Sequence, residues 1–154
     1  MSEGVAGKKG RILVADDDLA IRVLVKAVLK RARYDVDTAS NGREALEKVD
    51  AGHYEVVVLD LMMPEVSGFE VLERLPPREP FFGKFVVIMS ATSPEAMAKA
   101  ASSKVFGTLR KPFDIAELVS KVDACIAAHE HRLPVARGPD AARESAHVGW
   151  FRNR

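Results

Sequence analysis

The sequence predicts an α/β domain, a parallel sheet covered by helices on both faces. Five short strand-like runs, near Ile12, Tyr34, Val56, Phe85 and Val105, are separated by stretches of helical periodicity, the pattern of alternating β and α units. Several of these runs are apolar throughout, as strands buried on both faces are. Three of them end on polar groups: the carboxylates Asp16, Asp17 and Asp18 after the first and Asp60 after the third, and the hydroxyl of Ser90 after the fourth.

Length and composition narrow the class. The chain has 154 residues, 47% hydrophobic and 29% charged, with a formal net charge of +1. That is enough for one domain with one core, and neither disordered nor disulfide-built. Cations are spread along the chain, so no electrostatic case exists for nucleic acid or an anionic membrane. The apolar runs are far shorter than the ~18 residues of a spanning helix, and no signal segment opens the chain; a cytoplasmic location is expected. The single cysteine, Cys125, falls on the apolar face of a helix and is read as a packed core thiol.

Residues 1–10 are small, Gly-rich and charged, and are expected to form a flexible leader. The domain then spans 11–128. Residues 12–15 form a buried strand, and Asp18 caps a helix over 19–32. Residues 34–39 alternate, as a strand nearer the edge does. Asn41 with Glu44 forms a capping box for a helix that stops at Gly52, and His53 is a surface turn residue. Residues 56–59, the most uniformly β-branched run, belong in the middle of the sheet. Met62, Met63 and Pro64 lie in the following loop, and a short helix through Phe69, Val71, Leu72 and Leu75 ends at Pro76 and Pro77.

Residues 85–89 form the fourth strand. Ser93 and Pro94 open an Ala-rich helix over 95–102, weakly anchored because it has few large apolar groups. A marginal strand over 105–110 leads to Lys111-Pro112, and Phe113, Asp114 and Glu117 supply staple, cap and box for a last helix to about Ala128. Residues 129–154 are expected to be a tail, disordered or loosely docked, in which Trp150 and Phe151 could contact this domain or a partner.

Ligands of such sheets bind outside the carboxyl ends of the strands, where Asp16, Asp17, Asp60, Ser90 and Lys111 would gather. Clustered carboxylates need a counter-charge, and all-oxygen ligands suit Mg2+. An aspartate ending a buried strand beside such an ion points to phosphoryl acceptance.

The segments ILVADDD, VVVLDLMMP, VVIMSAT and LRKPF, in this order and spacing, resemble the receiver domain of two-component response regulators. The resemblance covers about residues 11–128 and implies a flavodoxin-like doubly wound sheet of order 2-1-3-4-5; the residues after Ala128 are too few for an effector domain, so a stand-alone receiver is expected. Asp60 resembles the phosphoacceptor, Asp17 a direct magnesium ligand and Asp16 an acid that binds the ion largely through water, with Met62 adding its backbone carbonyl. Ser90 matches the hydroxyl that bonds the phosphoryl group. Lys111 matches the ammonium that pairs with the acceptor carboxylate and then with phosphate, and a cis peptide is expected before Pro112. The implied donor is a sensor histidine kinase or a histidine phosphotransfer protein. The implied output is a protein target on the face built by the Ala-rich helix, last strand and last helix, with the chain a monomer or weak homodimer and neither nucleic acid nor membrane as partner.

One position departs from the family. The aromatic expected three residues before the lysine is Thr108, and Phe106, two positions earlier, is read as simple packing. A phosphorylation-independent interaction module on the same fold is therefore the competing class. A magnesium-dependent phosphohydrolase would need a substrate pocket and a further acid or base, for which the sequence offers no candidate.

Overall fold

The computed structural model describes residues 7–76, 84–101 and 104–132, the side chains of 130–132 excepted. Strands β1 (Arg11–Ala15), β2 (Asp35–Ala39), β3 (Val56–Leu59), β4 (Val86–Ser90) and β5 (Val105–Arg110) form one all-parallel sheet of order β2-β1-β3-β4-β5. Helices α1 (Leu19–Arg31), α2 (Gly42–Ala51), α3 (Gly68–Arg74), α4 (Pro94–Ala100) and α5 (Ile115–Arg132) connect the strands and follow the last of them. This is the order and architecture expected from the sequence.

Strand alternation divides the core between the two faces. Leu13, Val57, Leu59, Val86 and Ile88 pack with Ala45 of α2, Val71 and Leu72 of α3 and Met97 of α4. Ile12, Val14, Val56, Val58, Val87 and Met89 pack with Val25 and Leu29 of α1 and Leu118, Val122 and Cys125 of α5. All four residues of β3 are fully buried, as the middle strand of a doubly covered sheet must be.

The caps follow the sequence with one variation. The Asp18 carboxylate accepts from the Ile21 amide, and Asn41 Oδ1 accepts from the Glu44 amide at 2.8 Å. Glu44 turns back one residue earlier than a capping box requires, to the amide and hydroxyl of Ser40. Ser40 presents two donors to a carboxylate that would otherwise find one.

Several boundaries differ from expectation. Residues 8–10 belong to the fold: the Lys9 amide donates to Arg33 O at 2.9 Å and the Asp35 amide to Gly10 O at 2.8 Å, prolonging the β1–β2 pairing. Ser90 is the last residue of β4 itself. Helix α4 stops at Ala100, as Ala101 takes an extended ψ of 123°; Ser102, where it was expected to end, lies outside the described residues. Helix α5 passes Ala128 and runs to Arg132. His129, assigned to the tail from sequence, is buried with Nε2 2.9 Å from the Lys84 carbonyl, a tertiary bond that holds one more turn. His53 is half-buried, 3.8 Å from Glu55. Pro77, Trp150 and Phe151 fall outside the described residues.

The amino end of the sheet is closed by a charged cluster. The Arg11 guanidinium lies 2.6 Å from Asp37 Oδ2 and 4.7 Å from the centre of the Tyr54 ring, and the Tyr54 hydroxyl donates to the same carboxylate oxygen at 2.7 Å. Burial, and then this hydrogen bond, push the Tyr54 hydroxyl up to about 12. The Asp37 carboxyl is held below its usual range, chiefly by the tyrosine.

Beyond the C-cap of α1, Ala32, Arg33 takes φ 75°, where the Arg33 amide donates to Lys30 O and the Tyr34 amide to Leu29 O. A left-handed residue bearing a Cβ costs about 1–2 kcal/mol that glycine avoids. Arg33→Gly is therefore expected to raise stability by about 0.5–1 kcal/mol, glycine's larger unfolded entropy and one exposed bond to Gly7 O offsetting part of the gain. A urea midpoint that does not rise would contradict this.

Candidate functional site

The register builds the site. Ala15 pairs with Leu59, so Asp16 and Asp60, the residues that follow, leave neighbouring strands at the same level. The Asp60 amide donates to Ala15 O, the Asp16 amide to Ala39 O and the Lys111 amide to Ser90 O. Four strand ends thus meet at one edge. Asp16 and Ser90 are fully buried and Asp60 nearly so, whereas Asp17 is exposed.

The two carboxylates share one ammonium. Lys111 Nζ lies 2.6 Å from Asp16 Oδ2 and 3.2 Å from Asp60 Oδ2. Sequence reasoning paired Lys111 with Asp60, yet the shorter contact is to Asp16, the carboxylate with less access to water. The other oxygens are also engaged: Asp16 Oδ1 accepts from the Asp18 amide at 2.8 Å, and Asp60 Oδ1 from the Met62 amide at 3.1 Å. Burial pushes the Asp16 carboxyl above its usual range, against the opposing pull of Lys111 and the Asp18 amide. Burial would pull Lys111 down, but its bond to Asp16 and the charge of Asp60 prevail and hold it above its usual value.

The donor set fits a hard divalent cation. One carboxylate oxygen from each of Asp16, Asp17 and Asp60 lies within 4.8 Å of the others. Three carboxylates and one ammonium leave two negative charges, the charge of one such ion, and all three acids offer the oxygen donors that magnesium prefers.

The remaining expected residues surround this centre. Ser90 Oγ accepts from the Thr92 amide at 3.3 Å, and the Lys111-Pro112 peptide is cis. The methionine pair divides: Met63 is buried in the core and the Met62 side chain is 60% exposed. Gly68 opens α3 directly against Asp60, where a Cβ would stand 2.1 Å from Asp60 O.

Phe106 packs on the α5 side of the sheet, as expected, and the structure gives the reason. The β4–β5 register shifts between Val86, opposite Val105, and Val87, opposite Gly107. Phe106 is the extra residue of a bulge. Thr108 then pairs with Ile88 and is exposed.

Sequence reasoning missed Arg22. Its Nη1 donates to the main-chain oxygen of Asp16 at 2.7 Å. The available signal was a cation four residues after the helix cap, within reach of the turn it follows.

Comparison with known proteins agrees with this geometry. The family model described as response regulator receiver domain matches residues 12–123. The chain is 38% identical over 122 residues to the DNA-binding transcriptional regulator NtrC of Rhizobium meliloti, covering 79% of this chain and 25% of that protein. It is 32% identical to the alkaline phosphatase synthesis transcriptional regulatory protein PhoP of Bacillus subtilis, covering 80% of this chain and 51% of that protein. The chain therefore spans only a quarter to a half of these relatives. Among solved structures it is similar to response regulator protein TrrA from Thermotoga maritima in complex with Mg(2+)-BeF, with TM-score 0.65, 36% identity and coverage of 75% of this chain and 97% of that one. It is also similar to a CheY-like receiver domain protein from Methanospirillum hungatei, with TM-score 0.72, 25% identity and coverage of 82% and 98%.

Proposed function

The chain belongs to the receiver domain family of two-component response regulators, and on that premise we propose that Asp60 accepts a phosphoryl group from a histidine kinase or a histidine phosphotransfer protein. The observation that carries this is the placement of Asp60: a nearly buried carboxylate at the end of the central strand, 3.2 Å from the Lys111 ammonium and beside Asp16 and Asp17. In-line transfer needs a positioned nucleophile and compensated charge more than a strong base. An Asp60 oxygen attacks phosphorus, the bond from phosphorus to the donor imidazole breaks, and its electron pair returns to the ring, which is then protonated. Lys111 and the Ser90 hydroxyl would hold the phosphoryl oxygens.

Asp17, Asp60 and the Met62 carbonyl would hold Mg2+, with Asp16 acting largely through water. When bound, the ion supplies charge compensation on the transferring group. The product is an acyl phosphate on Asp60, open to water, so self-dephosphorylation is expected at the same site. The protein is in this sense a signalling phosphoacceptor.

The output is a change in the population of a protein-binding face made by α4, β5 and α5. Helix α4 supports this: among its residues only Met97 and Ala100 are buried, so little packing opposes its displacement. The chain is expected to act in the cytoplasm, as a monomer or weak homodimer, on a protein target rather than on nucleic acid; among the described residues no helix is long and apolar enough to cross a membrane. A second reading, constitutive binding by the same face, is favoured by the exposure of Thr108 where an aromatic was expected.

Intact mass after incubation with Mg2+ and acetyl phosphate tests the proposal. The wild type is expected to gain one phosphoryl group, Asp60→Asn none, and the beryllium fluoride mimic to shift NMR signals from Ser90 to α5. A wild type that gains no adduct would sink the acceptor role. An adduct without shifts beyond the site would leave constitutive binding as the function of the face.

A further inference from the structure

We propose that Arg22 is a positioning residue for the divalent cation, fixing the peptide that aims Asp17; the proposal rests on the magnesium site described above. Every polar group of Asp16 is engaged by a different part of the fold. Its amide donates to Ala39 O of β2, Oδ1 accepts from the Asp18 amide, Oδ2 meets Lys111 and its main-chain oxygen accepts from Arg22 of α1 at 2.7 Å.

The last of these bonds determines the most. The Asp16 carbonyl and the Asp17 amide belong to one rigid peptide plane, so the Arg22 guanidinium sets the direction in which Asp17 leaves the strand. Asp17 is exposed, and among the described residues no hydrogen bond holds its carboxylate. Its place within 4.8 Å of Asp16 and Asp60 therefore depends on the backbone that carries it.

The Arg22 amide donates to the carbonyl of the cap residue Asp18, which puts Arg22 in the first turn of α1, and that turn contains no acidic residue. A cation at a helix amino end opposes the macrodipole. Its compensation is the Asp16 carbonyl, which Nη1 reaches at 2.7 Å.

Charge and position make opposite predictions. A guanidinium near three carboxylates repels a divalent ion, so removing it should tighten Mg2+ binding if charge alone matters. If Arg22 holds the turn, removal should weaken binding although the site becomes more negative. Groups that orient a metal ligand typically contribute 10–100-fold in affinity.

The test is calorimetric titration of the full chain with Mg2+ alone, for wild type, Arg22→Ala, Arg22→Lys and Arg22→Met, with Asp17→Asn as reference. Arg22→Ala is expected to bind roughly tenfold more weakly, and Arg22→Lys to recover part of the loss. Arg22→Met, which keeps the stem without a donor, should match alanine, and it replaces that variant if Arg22→Ala does not fold. Binding by Arg22→Ala or Arg22→Met as tight as wild type, or tighter, overturns the proposal. If wild type binds no Mg2+, the magnesium site fails and this inference with it; if wild type binds and only Asp17→Asn is impaired, the inference alone fails.

Discussion

Lys111→Met is expected to lower stability by about 3–5 kcal/mol, the usual cost of removing one partner of a buried ion pair. Asp16 is fully buried, and its Oδ2 has the Lys111 ammonium at 2.6 Å. Without that ammonium the carboxylate keeps one amide donor and faces Asp60 across the site. The response is proton uptake. Burial already raises the Asp16 carboxyl, and removing Lys111 raises it further. A folded value above the unfolded 3.8 means the native state binds the proton more tightly, so stability is greatest at acid pH and falls as pH rises from about 3.8 through the folded value. Urea midpoints at pH 5 and pH 8 would show the variant losing more at pH 8, and Asp16→Asn in the Lys111→Met background should restore much of the loss. A variant within 1 kcal/mol of wild type at both pH values would refute a tightly coupled pair.

Gly68→Ala is expected to damage both fold and chemistry. Alanine normally favours a helix over glycine by roughly 0.5–1 kcal/mol, so propensity alone predicts a more stable protein. Here the added Cβ would stand 2.1 Å from Asp60 O and 2.5 Å from Leu61 Cα. Both are backbone atoms and cannot rotate aside. Overpacking of this kind costs about 1–3 kcal/mol, and whatever relief occurs must move Asp60 itself. A displacement approaching 1 Å is enough to slow a positioned reaction by ~100-fold. Mass spectrometry of adduct formation, beside a denaturant melt, checks both effects. Stability and phosphorylation rate at or above wild type would show that the loop gives way without moving Asp60.

Features that depend on neighbours in the chain were legible in the sequence. Asp18 caps α1 because a short acid before an apolar-periodic run has a local partner in the Ile21 amide. The strand ends gather because each of Asp16, Asp60 and Ser90 terminates or follows a run that only a central strand would bury. The unforeseen features depend on distant partners. Helix α5 continues to Arg132 because the Lys84 carbonyl, 45 residues away, binds His129. Phe106 is displaced by a bulge that exists only in its pairing with β4. Arg22 serves a backbone oxygen, so the sequence displays the cation four residues after the cap but not the partner it binds. The preference of Lys111 for Asp16 over Asp60 follows from relative desolvation, which spacing does not encode.

Asp16 and Lys111 are separated by 95 residues, and this has a consequence for the order of assembly. The pairing of β1 with β3 places Asp16 and Asp60 side by side, while the cation between them comes just after β5, the last strand of this sheet in chain order. A chain that has emerged from synthesis as far as β4 carries two adjacent acids with no ammonium to separate them. Like charges side by side oppose closure of that end of the sheet. Docking of the final strand closes it, so the pocket becomes competent only when nearly the whole domain has been made. Closing such a long loop is slow relative to local contacts, and the acid pair gives that late step an electrostatic driving force that no earlier intermediate can satisfy.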